Sequence, residues 1–361
     1  MESTTMKVWN TKLVLLVIAL FFAPFQAISA EKLNVLTWEG YVEPDEVAAV
    51  NKILKDKGYN YEINVISPWA EGPEQMFKLL RAGKADISFL TLNYIQMQRG
   101  KTAALLQPIN TNSPRLTNYK HLDPAMLNVP MGTENGKTLY LPFGGGAYGL
   151  WANMKKVSEG EVPKSLNGLL DPKWKGKVSL TKGQVQPNVA IASMMAGKSA
   201  FYLNEVSRSE MQAESQKGDI EGKLKALYGQ VSYFWGGSPE FRDDLLIVAS
   251  YGIGAAAENR AGGDWKLIKF KEGNTVWMDT INFHKNLKGK KLEAAEIFAN
   301  YFISDAVQTR LVNNLGMVSA SLKHQSASDK GFFVKDMFWP PYKKEVDNLM
   351  LLMSKKAMEG K

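Results

Sequence analysis

Apolar and polar positions switch between two periods along the chain. Leu33-Asn34-Val35-Leu36-Thr37-Trp38 reads as a buried strand, and Glu39-Gly40-Tyr41-Val42 interrupts it as a loop. Pro44 then sits where a first helical turn tolerates proline. Val47, Val50, Ile53 and Leu54 recur at helical spacing, which predicts a helix over 46–55. A second strand is expected over 61–66. Met76, Phe77, Leu79 and Leu80 predict a helix over 74–82 that Gly83 stops, and 85–90 is a third strand. Strand, helix, strand, helix, strand in that order predicts a parallel sheet with helices on its faces.

The middle of the chain is more irregular. Residues 139–143 are extended and run into Gly144-Gly145-Gly146; strands are expected over 148–153, 177–181 and 245–250, and residues 187–230 are mostly helical in pattern. Residues 276–283 are extended again, and 292–303 form an amphipathic helix. The last twenty residues carry Val346, Leu349, Met350, Leu351 and Met353, the apolar face of a helix expected to dock on the body.

Residues 1–30 follow a different rule. Lys7 and Lys12 precede an apolar run over 13–22, and small residues follow at Ala27, Ser29 and Ala30. A basic start, a short apolar run and a small-residue cut site predict a secretory signal peptide cleaved after Ala30. The run is shorter than the roughly 20 residues that a bilayer span needs. An uncleaved N-terminal anchor is the competing reading. An exported, soluble mature chain is expected, and the bacterial periplasm fits it best.

Composition narrows the chemistry. The 361 residues, 45% hydrophobic and 22% charged, suit about two globular domains. The absence of cysteine excludes disulfides, thiolate metal sites and a cysteine nucleophile. His121, His284 and His324 are too scattered to suggest a metal cage, and no G-x-S-x-G elbow offers a nucleophile, so neither a metal, a cofactor nor an enzyme activity is expected. The net charge of +8 is dispersed, and Lys288-Gly289-Lys290-Lys291 reads as a solvated turn, so no nucleic-acid partner is expected. Gly144-Gly145-Gly146 lacks the Lys-Ser/Thr of a phosphate loop; it reads as a hinge or a close backbone approach.

In parallel-sheet lobes, ligands sit beyond the carboxyl ends of the strands. Trp38-Glu39-Gly40-Tyr41, Thr91-Leu92-Asn93-Tyr94 and Ser250-Tyr251-Gly252 stand at such ends, and Tyr233-Phe234-Trp235 precedes a glycine pair. Trp277 and Asp279 flank Met278, so an extended backbone points both to one face. An indole face attracts a cation by roughly 0.5–2 kcal/mol, and a carboxylate beside it supplies a charge-assisted hydrogen bond to an ammonium. Trp277 with Asp279 is therefore a candidate amine-binding pair; the plainer alternative is a core tryptophan and a turn-capping aspartate.

These residues also carry a resemblance. Trp38-Glu39-Gly40-Tyr41-Val42 with its following proline, Lys84-Ala85-Asp86-Ile87 leading to Thr91 and Tyr94, the stretch from Asn118 to Leu122-Asp123-Pro124, and the segment from Leu141 through Leu150 are similar to motifs of the spermidine/putrescine-binding proteins of bacterial ABC transporters. So are Leu170-Asp171-Pro172-Lys173-Trp174-Lys175-Gly176-Lys177 and Gly273-Asn274-Thr275-Val276-Trp277-Met278-Asp279, in the same order over nearly the whole mature chain. The resemblance implies an α/β, two-lobed periplasmic binding protein fold (type II) with a ligand cleft between the lobes. Approximate boundaries would place lobe 1 over 31–142 and 280–320 and lobe 2 over 143–279 and 321–361. It implies Trp38 and Trp277 as aromatic walls, Asp279 as amine ligand, Glu39 or Tyr41 reaching the other end, and Thr91 as a polar contact. Gln186, Trp235, Tyr251 and Asn93 complete the expected ligand-binding set.

The chain also departs from that pattern. After 178–181 the family commonly places acidic residues, whereas Lys182-Gly183-Gln184-Val185-Gln186 stands here and no acid follows until Glu205. Asn93 stands where the family often has an aromatic side chain, and Ser250 or Tyr251 in place of a tryptophan. A dication would lose one anchor, and an unpaired ammonium in a dry cleft costs several kcal/mol. The ligand is thus expected to be a polyamine held by Glu39 and Asp279, a monoamine, or an amino-acid-like zwitterion whose carboxylate Lys182 and Gln186 would receive. The leading expectation is non-catalytic capture of a small amine-bearing solute by lobe closure, with delivery to an inner-membrane ABC permease. The alternative partner is a membrane sensor protein that reads the liganded form.

Overall fold

The computed structural model describes residues 1–2, 29–127, 129–326, 329 and 332–360. The expected signal segment over 1–30 lies outside the described residues except at its ends. The first three strands and two helices form the expected parallel unit: β1 (Glu31–Leu36), α1 (Pro44–Asp56), β2 (Tyr61–Val65), α2 (Pro73–Arg81) and β3 (Ile87–Thr91), with β1 paired to β2 and β3. α1 starts where proline fixes the first turn and the Glu46 carboxylate accepts the Glu43 N–H at 3.0 Å.

A short hairpin, β4 (Thr133–Glu134) and β5 (Lys137–Thr138), precedes β6 (Leu141–Ala147). Only Tyr148 separates β6 from β7 (Gly149–Asn153), yet the two belong to different sheets. β8 (Val178–Thr181) follows, then the helical stretch α3 (Gln186–Met195), α4 (Tyr202–Glu205), α5 (Arg208–Lys217) and α6 (Asp219–Tyr228). β9 (Val231–Trp235), β10 (Ile247–Ser250), α7 (Ile253–Arg260) and β11 (Trp265–Leu267) complete the second half. β12 (Val276–Phe283), α8 (Gly289–Phe302), α9 (Asp305–Leu315) and β13 (Val318–Ser319) return to the first, and α10 (Lys344–Glu359) ends the described chain.

The first sheet has the order β13-β6-β12-β3-β1-β2 and the second β11-β7-β10-β8-β9. Each has its own apolar core. Leu33, Val35, Phe89, Phe143, Phe298 and Phe302 fill the first; Leu150, Val178, Leu180, Ile220, Leu224 and Ile247 fill the second. Two cores joined by few chain crossings make two lobes with a cleft between them. β6 and β12 run across the expected lobe boundaries at 142 and 279 and stay whole within the first sheet. The reason is their pairing, continuous from Leu141 opposite Ile281 to Ala147 opposite Val276 but for one bulge.

The triple glycine lies inside β6 as a close approach rather than a free loop. A Cβ on Gly145 would sit 2.4 Å from the Trp277 carbonyl oxygen, and one on Gly146 2.7 Å from the Trp277 ring. At the far end, α10 docks on the second core through Val346, Met350, Met353 and Ala357, and burying each larger side chain contributes about 1.5–3 kcal/mol. Leu351, expected on that face, is 40% exposed because it falls off the i, i+4, i+7 stripe those residues define.

Candidate functional site

The cleft between the lobes encloses about 1040 Å³. Trp38, Glu39, Tyr41, Thr91, Asn93, Gln186, Trp235, Tyr251, Trp277 and Asp279 all line it. Local structure explains how they meet. β1 ends at Leu36, and the loop after it turns at Gly40, whose φ of +77° only glycine adopts readily. Arg310 of α9 pins that loop: it donates to the carbonyls of Gly40 at 3.0 Å and Tyr41 at 2.9 Å while pairing with Glu46 at 2.7 Å. Trp38 and Tyr41 are thereby held at the end of the first sheet.

Asp279 is the centre of that wall. It stands in β12 with Thr91 of β3 opposite it on one side and Gly144 of β6 on the other. The Tyr41 hydroxyl donates to its Oδ2. Its Oδ1 is buried with no hydrogen bond of ordinary geometry, though the Thr91 hydroxyl lies near enough to act on the charge, and no basic side chain pairs with the acid among the described residues. Burial pushes the Asp279 carboxyl up to about 6, against the pull of the Tyr41 and Thr91 hydroxyls. Burial also pushes the Tyr41 phenol well above its ordinary value, with the Asp279 charge adding to it. Tyr41 thus supports Asp279 and is not available to grip a distant ligand end. Glu39 is exposed at the lip of the cleft.

Trp277 is both core and wall. It is 9% exposed, packs in the first core and lies against Gly146, yet borders the cleft two residues before Asp279. The indole N–H groups of Trp38, Trp235 and Trp277 have no partner among the described residues.

The second-lobe wall is built differently. Gln186 opens α3, and its amide donates to the Asp347 carboxylate in the first turn of α10. The Tyr342 hydroxyl lies 3.4 Å from the other Asp347 oxygen. The Tyr251 hydroxyl donates to Gln184 at 2.6 Å, and its ring meets Tyr148 edge-on at 5.0 Å. Lys182 is exposed and does not line the cleft, while Gln186 is committed to an acid. A ligand carboxylate therefore finds neither of the receptors expected for it. Ser250 is buried, and its hydroxyl accepts the Gly252 N–H at 3.1 Å.

Sequence reasoning passed over Asp347, Tyr342, Trp69, Trp339, Glu71 and Glu74, and named Tyr94 only as a strand-end residue; all of them border the cleft. The signal for the C-terminal group was Trp339-Pro340-Pro341-Tyr342, an aromatic and proline run just ahead of a helix. Tyr94 packs edge-on to Tyr342 at 6.2 Å, and the Tyr342 N–H donates to the Asn93 carbonyl at 3.1 Å, so this segment joins the two walls. Five carboxylates, Glu39, Glu71, Glu74, Asp279 and Asp347, face the cleft against one basic side chain, Lys343. The cavity is lined for a cation.

The model of the bacterial extracellular solute-binding protein family matches residues 95–337. The chain is 25% identical over 327 residues to the spermidine/putrescine-binding periplasmic protein of Escherichia coli, covering 88% of this chain and 86% of that one. In structure it is similar to a spermidine/putrescine ABC transporter substrate-binding protein of Streptococcus pneumoniae, with a TM-score of 0.68 at 16% identity, over 91% of this chain and 100% of the other. It is also similar to the GacH receptor of Streptomyces glaucescens, solved with acarbose, with a TM-score of 0.66 at 13% identity, over 92% and 94% of the two chains. The two structural likenesses are nearly equal, so the fold alone does not choose the ligand and the cleft residues must.

Proposed function

The chain belongs to the bacterial extracellular solute-binding proteins, and from that membership we propose that it captures a small, polyamine-like amine in the periplasm and hands it to an inner-membrane ABC permease. One observation carries the choice of ligand: Asp279 is a buried carboxylate on the cleft wall with one oxygen and its charge unmatched by any protein cation. Burying such a charge costs several kcal/mol, which an ammonium in hydrogen-bond contact offsets. The indoles of Trp38 and Trp277 are the surface for its methylenes and for cation–π contact. The names of the curated relatives point the same way. Export is supported by β1, which starts at Glu31 directly after the expected cleavage point.

Binding biases a hinge equilibrium. A guest that touches both lobes stabilises the closed form by its differential contacts, and a permease then reads the closed surface. The test is calorimetry on protein freed of bound amine by unfolding and refolding, titrated with putrescine, spermidine, norspermidine and amino acids. The expected result is saturable heat with the polyamines and none with the amino acids. Binding of amino acids alone, or of none of these solutes, would retire the proposal.

A further inference from the structure

Of the cleft carboxylates without a cationic partner among the described residues, Glu39 and Glu71 are exposed, whereas Asp279 is buried and Asp347 half-buried. Asp347 receives the Gln186 amide, which is neutral and orients the acid without cancelling its charge. Tyr342 approaches its second oxygen only at 3.4 Å, the long edge of a hydrogen bond, so that oxygen remains open to a stronger donor. The neighbouring basic side chains are engaged elsewhere. Lys343 donates to the Asn204 carbonyl at 2.9 Å, and Lys344 pairs with Glu74 at 3.3 Å. Asp279 and Asp347 reach the cleft from opposite lobes, one on β12 and one on α10. Tyr94 stands within the field of both, since their charges add to burial in suppressing its ionisation.

We infer that Asp347, held by Gln186, is the second ammonium anchor, and that the opposed pair Asp279 and Asp347 makes the cleft select diamines over monoamines of equal length. The inference rests on the amine reading above and gives it a chemical class: a guest with two positive charges joined by an apolar spacer. A monoamine satisfies one acid and leaves the other uncompensated as the lobes close and exclude water. Asp347 makes good the acid missing after β8, where Gln184 and Gln186 stand, from a helix that begins 158 residues after Gln186.

The experiment compares putrescine with butylamine, which share a four-carbon spacer, by calorimetry on the full chain freed of bound amine. Asp347→Asn keeps the contact to Gln186 and removes the charge. It is expected to weaken putrescine by about 10- to 100-fold, the range of a charged hydrogen bond, and butylamine by less than about threefold. Adding Gln186→Glu to Asp347→Asn returns an acid to the same corner and is expected to restore most of the preference for putrescine. Asp347→Glu covers the case in which the first variant does not fold. With one more methylene on the anchor, the best diamine is expected to shorten toward 1,3-diaminopropane. An unchanged putrescine-to-butylamine ratio in Asp347→Asn, or an unmoved length profile in Asp347→Glu, overturns the inference. If Asp279→Asn weakens putrescine while Asp347→Asn does not, the amine reading stands and this one falls. If the unmodified chain takes no amine, both fall.

Discussion

The two walls of the cleft hold their acids by opposite means. On the first wall, Asp279 sits in a central strand, flanked by β3 and β6, braced by the Tyr41 hydroxyl and almost wholly buried. Its position is fixed by sheet register, and burial disfavours its charge. On the second wall, Asp347 rides in the first turn of a helix, half-buried, and is steered by an amide from another helix. The first arrangement stores an electrostatic cost in the empty protein; the second leaves its acid in contact with solvent. A rigid, charged wall facing a softer one suits a protein that meets its guest on one lobe and completes the contact by closing the other.

Removing the charge on the rigid wall is the largest test of that contrast. Asp279→Asn is expected to weaken putrescine by about 10- to 100-fold, as loss of a charged hydrogen bond predicts. It is also expected to stabilise the empty protein. A carboxyl that titrates near 6 instead of 3.8 carries an ionisation burden of about 3 kcal/mol above pH 6. An Asn amide left partly unpaired returns about 1–2 kcal/mol of that, for a net gain of about 1–2 kcal/mol. Thermal melts of ligand-free protein at pH 7.5 read the gain. The sign follows from the raised value: Asp279 favours the folded state most below about pH 4, and that contribution is lost as pH rises through 6. The stabilising effect should therefore vanish at pH 4. A variant that binds poorly and also melts lower at pH 7.5 would mean that Asp279 is structural.

Proton competition sharpens the same comparison without a mutation. A cation beside Asp279 favours its ionised form, so amine affinity should hold steady above pH 7 and fall below pH 6, by at most tenfold per pH unit. At pH 6 capture of a cation should release about half a proton, which calorimetry in buffers of different ionisation enthalpy measures. Asp279→Asn should abolish both effects. If the fall persists in that variant, Asp279 is not the group that couples capture to pH.

The contrast also explains what could be read in advance. Trp277 and Asp279 were legible because an extended run imposes a period of two, so a pair at i and i+2 declares a common face. Trp38, Thr91 and Tyr251 were legible as strand-end residues of an α/β lobe. Tyr41 was placed at the site, but its role was not, because its partner lies 238 residues away and only the folded sheet brings them together. Asp347 was invisible for the same reason: its neighbours Gln186 and Tyr342 declare nothing locally, and the helix reads as an apolar docking face. The close backbone approach read at Gly144-Gly145-Gly146 lets β6 and β12 pair straight through positions 142 and 279, so a boundary at either falls inside a strand.

The smallest expected effect bears on closure itself. Lys344 of α10 and Glu74 of α2 meet across the cleft mouth at 3.3 Å, with side chains 61% and 46% exposed. Exposed pairs contribute at most about 1 kcal/mol and are screened by salt. The two partners lie on opposite lobes, however, so whatever the pair is worth belongs to the closed form alone. Lys344→Ala should therefore weaken putrescine by no more than about fivefold at low ionic strength, with the difference disappearing in 0.5 M salt. The Tyr342 N–H bond to Asn93 and the Tyr94–Tyr342 contact still tie the walls together in that variant. Calorimetry at two salt concentrations decides the matter. If Lys344→Ala costs as much affinity as Asp279→Asn, the closing contacts rather than the buried acid dominate capture. The rigid wall would then be a support for closure and not its driving force.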